Sequence, residues 1–213
     1  MRLVILGPQG AGKGTQSARL IEKYAIPSVA TGDIFRAAMR DSSNDLGSKV
    51  REYVDSGRLV PDVLVNQIVL DRLAEDDARD GFLLDGFPRD RVQAEVLDEF
   101  LAKENRPLDG AIVLEVPEAV SLRRILGRRV CSQCGRNYSV DMPPKVNWTC
   151  DLCGGEVVGR MDDQEKETVR ERLKIYYEQT HPLKAYYDER GMLALIDGTK
   201  TPDEVFSDIV AAL

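Results

Sequence analysis

The string "RLVILGPQGAGKGTQ" near the start of the chain restricts the possible folds more than any other stretch. A short apolar run reads as a buried strand. Glycines then recur at Gly7, Gly10, Gly12 and Gly14, with Lys13 among them, and helical spacing follows from Gln16 onward. Glycine lets the backbone curl so that successive N–H groups point at one anion. The helix N-terminus adds partial positive charge, and the lysine reaches a terminal phosphate. Gly10, Ala11, Gly12, Lys13, Gly14 and Thr15 are therefore the expected phosphate cradle. The general pattern places Ser or Thr directly after the lysine; here Gly14 stands there and Thr15 comes next.

The rest of the chain keeps the same alternation. "FLLD" (82–85), "GAIVLEV" (110–116), "MLALID" (192–197) and, more weakly, "PSVAT" (27–31) are short apolar runs bounded by turn residues. Between them, residues 16–24, 63–73, 91–103 and 169–187 carry apolar positions three and four apart. This alternation predicts a parallel sheet with helices on both faces. Two segments interrupt it. Residues 32–60 read as helices with no strand between them, and 128–160 are rich in Cys, Gly and Pro, so both read as insertions. With 213 residues, 43% hydrophobic and 31% charged, the chain has room for one sizeable core plus such insertions.

The formal net charge of -7 should repel nucleic acid and anionic membrane. No apolar run approaches the roughly 20 residues of a membrane span. "MRLVILG" is too short for a secretory signal and runs into glycines and Lys13, so a reducing cytoplasm is expected. There, paired cysteines favour metal over disulfides. Cys131, Cys134, Cys150 and Cys153 form two CxxC pairs and are the chain's only cysteines. Their spacing suits a tetrahedral thiolate site whose four ligands leave no position for water or substrate, so the ion is structural. Zinc is expected, although cobalt and iron accept the same ligands.

Further charged residues stand at telling positions. "ATGDIFR" places Thr31 and Asp33 at a helix start, where they cap, and Arg36 one turn in, where a guanidinium can grip a phosphate. "LLDGFPRDRVQ" puts Asp85 at a strand end, where ligands of open α/β sheets bind, with Gly86 and Arg89 after it. Arg124 and Arg128 lie one helical turn apart, and Arg160, Arg170 and Arg172 follow. So many arginines beside a phosphate loop in an acidic protein call for a joint explanation: charge spread over the oxygens of a transferring phosphoryl group. His181, the only histidine, precedes Pro182 and reads as structural.

Taken in order, "GPQGAGKGT" (7–15), "ATGDIFR" (30–36), "LLDGFPR" (83–89), "GRRVC" (127–131), "RMDDQ" (160–164), "VRERL" (169–173) and "DGTK" (197–200) resemble the adenylate kinases, within the nucleoside monophosphate kinases. The resemblance covers essentially the whole chain. Gln9 departs from the small residue or proline common there, and its side chain is expected to point away from the phosphates.

The resemblance implies an α/β P-loop kinase with a parallel five-stranded sheet flanked by helices. Residues 1–30, 61–127 and 161–213 would form the core, 31–60 an AMP-binding insertion, and 128–160 a zinc-binding lid. ATP would meet the phosphate cradle together with Arg124, Arg128, Asn137, Tyr138 and Lys200. AMP would meet Thr31, Arg36, Arg58, Leu59, Val60, Gly86, Phe87, Pro88, Arg89 and Gln93, with Arg160 and Arg172. Lys13, Arg89, Arg124, Arg160 and Arg172 would be catalytic, and Asp85 would hold magnesium through water. The Phe87–Pro88 peptide is expected to be cis, and Thr31 with Gln93 goes with adenine.

ATP, AMP and ADP are then the partners of a monomer, with neither nucleic acid nor membrane. One alternative keeps the fold and changes the acceptor to UMP or CMP. Another makes the cysteines a nucleic-acid-binding ribbon on an NTPase. A ribbon would want a basic face, yet Arg136 and Lys145 are offset by Asp141, Asp151 and Glu156, and Trp148 stands nearly alone. In a lid too small to bury a core, the metal would replace that core.

Overall fold

The computed structural model describes residues 1–32, 34–35, 60–159, 163 and 166–213. In chain order the strands are β1 Arg2–Leu6, β2 Ser28–Ala30, β3 Phe82–Asp85, β4 Gly110–Glu115, β5 Arg128–Cys131, β6 Asn137–Ser139, β7 Val157–Gly159 and β8 Leu193–Asp197. The helices are α1 Lys13–Tyr24, α2 Asp62–Ala74, α3 Arg91–Lys103, α4 Glu118–Leu126, α5 Lys166–Ile175, α6 Leu183–Asp188 and α7 Pro202–Ala212. The expected five-stranded parallel sheet is present, in the order β2-β3-β1-β4-β8.

Its strands read as continuous apolar runs because both faces are covered. Val4 and Leu6 of β1 join Phe82, Leu84 and Val113 against Val69, Leu97 and Tyr187 of α2, α3 and α6. Leu3 and Ile5 point the other way, with Leu83, Ile112 and Leu114, against Leu20 of α1 and Ile209 of α7. Each such buried side chain stabilises the fold by roughly 1.5–3 kcal/mol. The chain leaves β1 toward β2 on one side and β4 toward β8 on the other. Connections diverging from adjacent strands open a crevice at the strands' carboxyl ends, where ligands bind.

Two expectations need correction. Residues 169–187 are not one helix. After α5 comes a π-turn, Tyr176–Thr180, and α6 begins only at Leu183. Pro182 has no N–H to offer the carbonyl four residues back, so the ladder shifts register and His181 bonds to the Tyr176 carbonyl at 2.9 Å. Arg124 and Arg128 do not share a helix either: α4 ends at Leu126, and Arg128 opens β5.

Residues 128–159 carry a separate antiparallel sheet, order β6-β5-β7. Its own buried cluster among the described residues is Cys131, Cys150 and Val157, with Tyr138 packed on it. Most of the insertion expected at 31–60 lies outside the described residues. Among those described, no helix is long and apolar enough to cross a membrane.

Candidate active site

The phosphate loop has the shape its glycines require. Gly10 sits at φ 79° and Gly12 at φ 99°, both in the region that disfavours side chains. At Gly10 a methyl would also lie 2.7 Å from the Ser121 carbonyl oxygen. No side chain caps α1, which starts directly at Lys13; the Gly12 carbonyl accepts from Thr15 at 3.0 Å and Gln16 at 3.1 Å. Lys13 Nζ rests on the loop's own carbonyls, 2.7 Å from Gly7 and 3.2 Å from Pro8.

Four expected partners share the field at Lys13. Burial lowers its pKa below the ordinary lysine value; Asp85 opposes that shift, while Arg128, Arg89 and Arg172 reinforce it. Asp85 ends β3 beside Ile5 of β1, at the mouth of the crevice. Burial, then the Arg172 guanidinium, likewise lowers Arg89, against the attraction of Asp85 and Asp62. Like charges held this close raise each other's free energy until an anion enters between them.

On the side expected for the monophosphate, Thr31 is buried and its Oγ1 donates to the Gly86 carbonyl at 3.2 Å. The Phe87–Pro88 peptide is cis, and Phe87 is buried in the core. Arg89 Nε donates to the Gly86 carbonyl at 3.0 Å. Gln93 is buried; its Oε1 accepts from the Arg89 N–H at 2.8 Å, and its Nε2 donates to Asp62 at 2.7 Å. That leaves one of its two amide hydrogens for a base edge. Val60 packs on the apolar layer beneath. Asp33, Arg36, Arg58 and Leu59 lie outside the described residues.

On the opposite side, Asp163 gathers two of the arginines. Arg128 grips it with a two-pronged contact, Nε at 2.6 Å and Nη2 at 2.8 Å, and Arg172 Nη1 reaches it at 3.2 Å. Asp163 is only 4% exposed, and sequence reasoning missed it. Its one signal was the doubled aspartate of "RMDDQ", which does not say which carboxylate turns inward. Arg160, from the same motif, lies outside the described residues.

Arg124 spans two loops, donating to Gly198 at 2.7 Å and to Gly10 at 3.4 Å. Asn137 reaches the start of α1: its Nδ2 is 3.3 Å from where a Cβ on Gly14 would stand. Two further residues expected to meet ATP have protein partners. Lys200 pairs with Asp208 at 2.7 Å, and the Tyr138 hydroxyl donates to Cys150 Sγ at 3.4 Å.

The four cysteine sulfurs all lie within 4.8 Å of one another. Two of the contacts are 3.4 Å (Cys131 to Cys153) and 3.6 Å (Cys134 to Cys150), far longer than a disulfide. Zinc–sulfur bonds of about 2.3 Å put tetrahedral ligands nearly 4 Å apart, so the cluster fits one ion. The Tyr138 hydroxyl, with the N–H groups of Cys153 and Leu152 and against desolvation, lowers the Cys150 thiol to about 6. Against the Arg136 N–H, the Cys153 sulfur and desolvation push Cys134 the other way, to about 12, and a bound cation would hold such thiols as thiolates.

A family model described as adenylate kinase matches residues 5–192. Proteins named adenylate kinase from Clostridium botulinum and Clostridium tetani are each 50% identical over 210 residues, covering 98% of this chain and 96% of theirs. One from Clostridioides difficile is 48% identical over 214 residues, covering 100% of this chain and 98% of its own.

Proposed function

The chain belongs to the adenylate kinase family, and on that footing we propose how its residues carry the transfer of the terminal phosphoryl group of Mg-ATP to AMP. The enzyme is a nucleoside monophosphate kinase whose reaction, ATP + AMP ⇌ 2 ADP, needs no protein nucleophile. An oxygen of the AMP phosphate attacks in line, and ADP leaves with the opposite oxygen. Catalysis is then positioning plus stabilisation of spread negative charge.

The observation that carries this reading is the phosphate loop itself, with Gly10 and Gly12 at positive φ, α1 starting at Lys13, and Asp85 ending β3 beside Ile5 of β1. ATP phosphates would lie in the backbone cradle 10–15, with Lys13 leaving the Gly7 carbonyl to hold them. Arg89 would grip the AMP phosphate, and Arg172, with Arg124 and Arg160, the oxygens in transfer. Asp85 would hold the magnesium that accompanies ATP through its water. Arg36 would grip the AMP phosphate beside Arg89, and Thr31 and Gln93 would select adenine, with Arg58, Leu59 and Val60 walling that pocket.

Residues 1–30, 61–127 and 161–213 would act as the core, 31–60 as the monophosphate-binding part, and 128–160 as the lid. Closure of the lid would exclude water, which would otherwise accept the phosphoryl group. Cys131, Cys134, Cys150 and Cys153 would hold zinc, which braces the lid and leaves no open coordination position for chemistry. The enzyme would work as a cytoplasmic monomer without nucleic acid.

The test is a coupled assay of ADP formation from ATP with AMP, UMP and CMP at equal concentrations, together with metal analysis. AMP should be the preferred acceptor, with one zinc per chain. A preference for UMP or CMP would overturn the acceptor assignment. A nucleic-acid ribbon is disfavoured further by the lid's own pairing, since Arg129 lies over Trp148 and Arg136 over Tyr138.

A further inference from the structure

Arg89 is held in an unusual way. Its backbone N–H is taken by the Gln93 side chain at 2.8 Å, and its backbone carbonyl by the Thr180 hydroxyl at 2.7 Å. Thus the peptide groups on both sides of the residue are fixed by side chains, one from the helix that follows and one from a distant turn. Its Nε is spent on the Gly86 carbonyl at 3.0 Å, which leaves the two terminal nitrogens for a phosphate.

One of these side chains is local and the other remote: Gln93 lies four residues on, in the first turn of α3, and Thr180 lies 91 positions away. Gln93 is itself anchored to Asp62 at 2.7 Å, the residue that opens α2 directly after the 31–60 segment. Thr180 closes the π-turn that continues from α5, and α5 carries Arg172. Arg172 in turn reaches Asp163 at 3.2 Å, and Asp163 holds Arg128 at the first residue of β5. The shifted register of the π-turn re-aims the residues after Tyr176. At the end of this turn the Thr180 hydroxyl meets a carbonyl 91 positions away in sequence.

We propose that Thr180 is a positioning residue for phosphoryl transfer. By holding the Arg89 carbonyl, it fixes the monophosphate-gripping guanidinium relative to Arg172 on the donor side. The inference rests on the phosphotransferase reading above. A hydroxyl-to-carbonyl bond is modest in energy, but a guanidinium that wanders loses two-pronged contact with its phosphate.

The test compares Thr180→Val, which keeps the shape and removes the donor, with Thr180→Ser, which keeps the donor. KM for AMP, KM for ATP, kcat, calorimetric binding of AMP alone and Tm are measured for each. Thr180→Val should raise KM for AMP and weaken AMP binding by about three- to tenfold, with KM for ATP changed less than about twofold. Thr180→Ser should restore both. If the valine crowds the turn and the variant fails to fold, Thr180→Ala gives the same readout at this half-buried position. Wild-type AMP kinetics in the folded variant would overturn the proposal, as would a serine variant as weak as valine. A joint rise of both KM values with a lowered Tm would overturn it too, by showing a merely structural role. A wild-type chain that turns over no AMP would instead sink the phosphotransferase reading, a result that the same assay distinguishes.

Discussion

The phosphate loop and the cysteine lid solve opposite problems with the same backbone device. In the loop, glycines at positive φ curl N–H groups around a site for an anion. In the lid, each CxxC pair ends in a glycine at φ 73°, Gly135 and Gly154, and the curl gathers sulfurs around a site for a cation. The two lid turns mirror each other. Gly135 N–H returns to the Cys131 carbonyl at 3.0 Å and Gly154 N–H to the Cys150 carbonyl at 2.9 Å. What differs is the support. The loop stands on a sheet buried on both faces, whereas the lid buries little apolar surface of its own. On the proposed reading, the loop would serve chemistry, and the cysteine site would serve stability by holding a metal in place of a core.

The most severe test of that division is Lys13→Met. It removes the charge that faces Asp85 and the three arginines, and turnover should fall by at least about 10²–10³. Tm should hardly move, because burial already works against this ammonium. Near-normal turnover in the folded variant would show that the cleft's field is not the catalyst.

Asp163→Asn probes the place where the two regions meet. Arg128 of the lid and Arg172 of α5 share this buried carboxylate. Neutralising it leaves two guanidiniums competing for one weaker acceptor, and turnover should drop about tenfold. The loss should fall on kcat rather than on either KM in steady-state kinetics if the carboxylate orders the closed state. Unchanged kcat would mean that the arginines find their places without it.

Metal removal tests the other half of the comparison. Cys131→Ser should lower Tm by about 2–4 °C for each kcal/mol lost, with substantial activity kept at low temperature. A folded but wholly inactive variant would argue that the ion takes part in chemistry.

How much of this the sequence shows depends on how far apart the cooperating residues lie. Lys13 and the glycines, or the two CxxC pairs, announce themselves because their partners are a few positions away. The strands at 82–85 and 110–115 are equally plain, since burial on both faces leaves unbroken apolar runs. Asp163 and Thr180 were not legible. Each is an ordinary polar residue whose partner is distant in sequence, Arg128 for one and Arg89 for the other. The break in 169–187 was foreshadowed by Pro182, but apolar spacing alone ran through it. The hydroxyl contact of Tyr138 with Cys150 was not legible either, since the two lie twelve positions apart.

The finest discrimination comes from two matched glycines. Gly12 and Gly135 both have positive φ, 99° and 73°, and at each an added methyl would meet no protein atom within 4 Å. Alanine at either position therefore suffers the same backbone penalty, about 1–2 kcal/mol, and no clash within the protein. Gly12→Ala and Gly135→Ala should lose similar amounts of stability in denaturant titrations. Only the first places a methyl where phosphates are to lie, so only Gly12→Ala should raise KM for ATP. If both variants impair ATP binding alike, the lid turn takes part in holding nucleotide. If neither does, the phosphates do not rest on the backbone at Gly12.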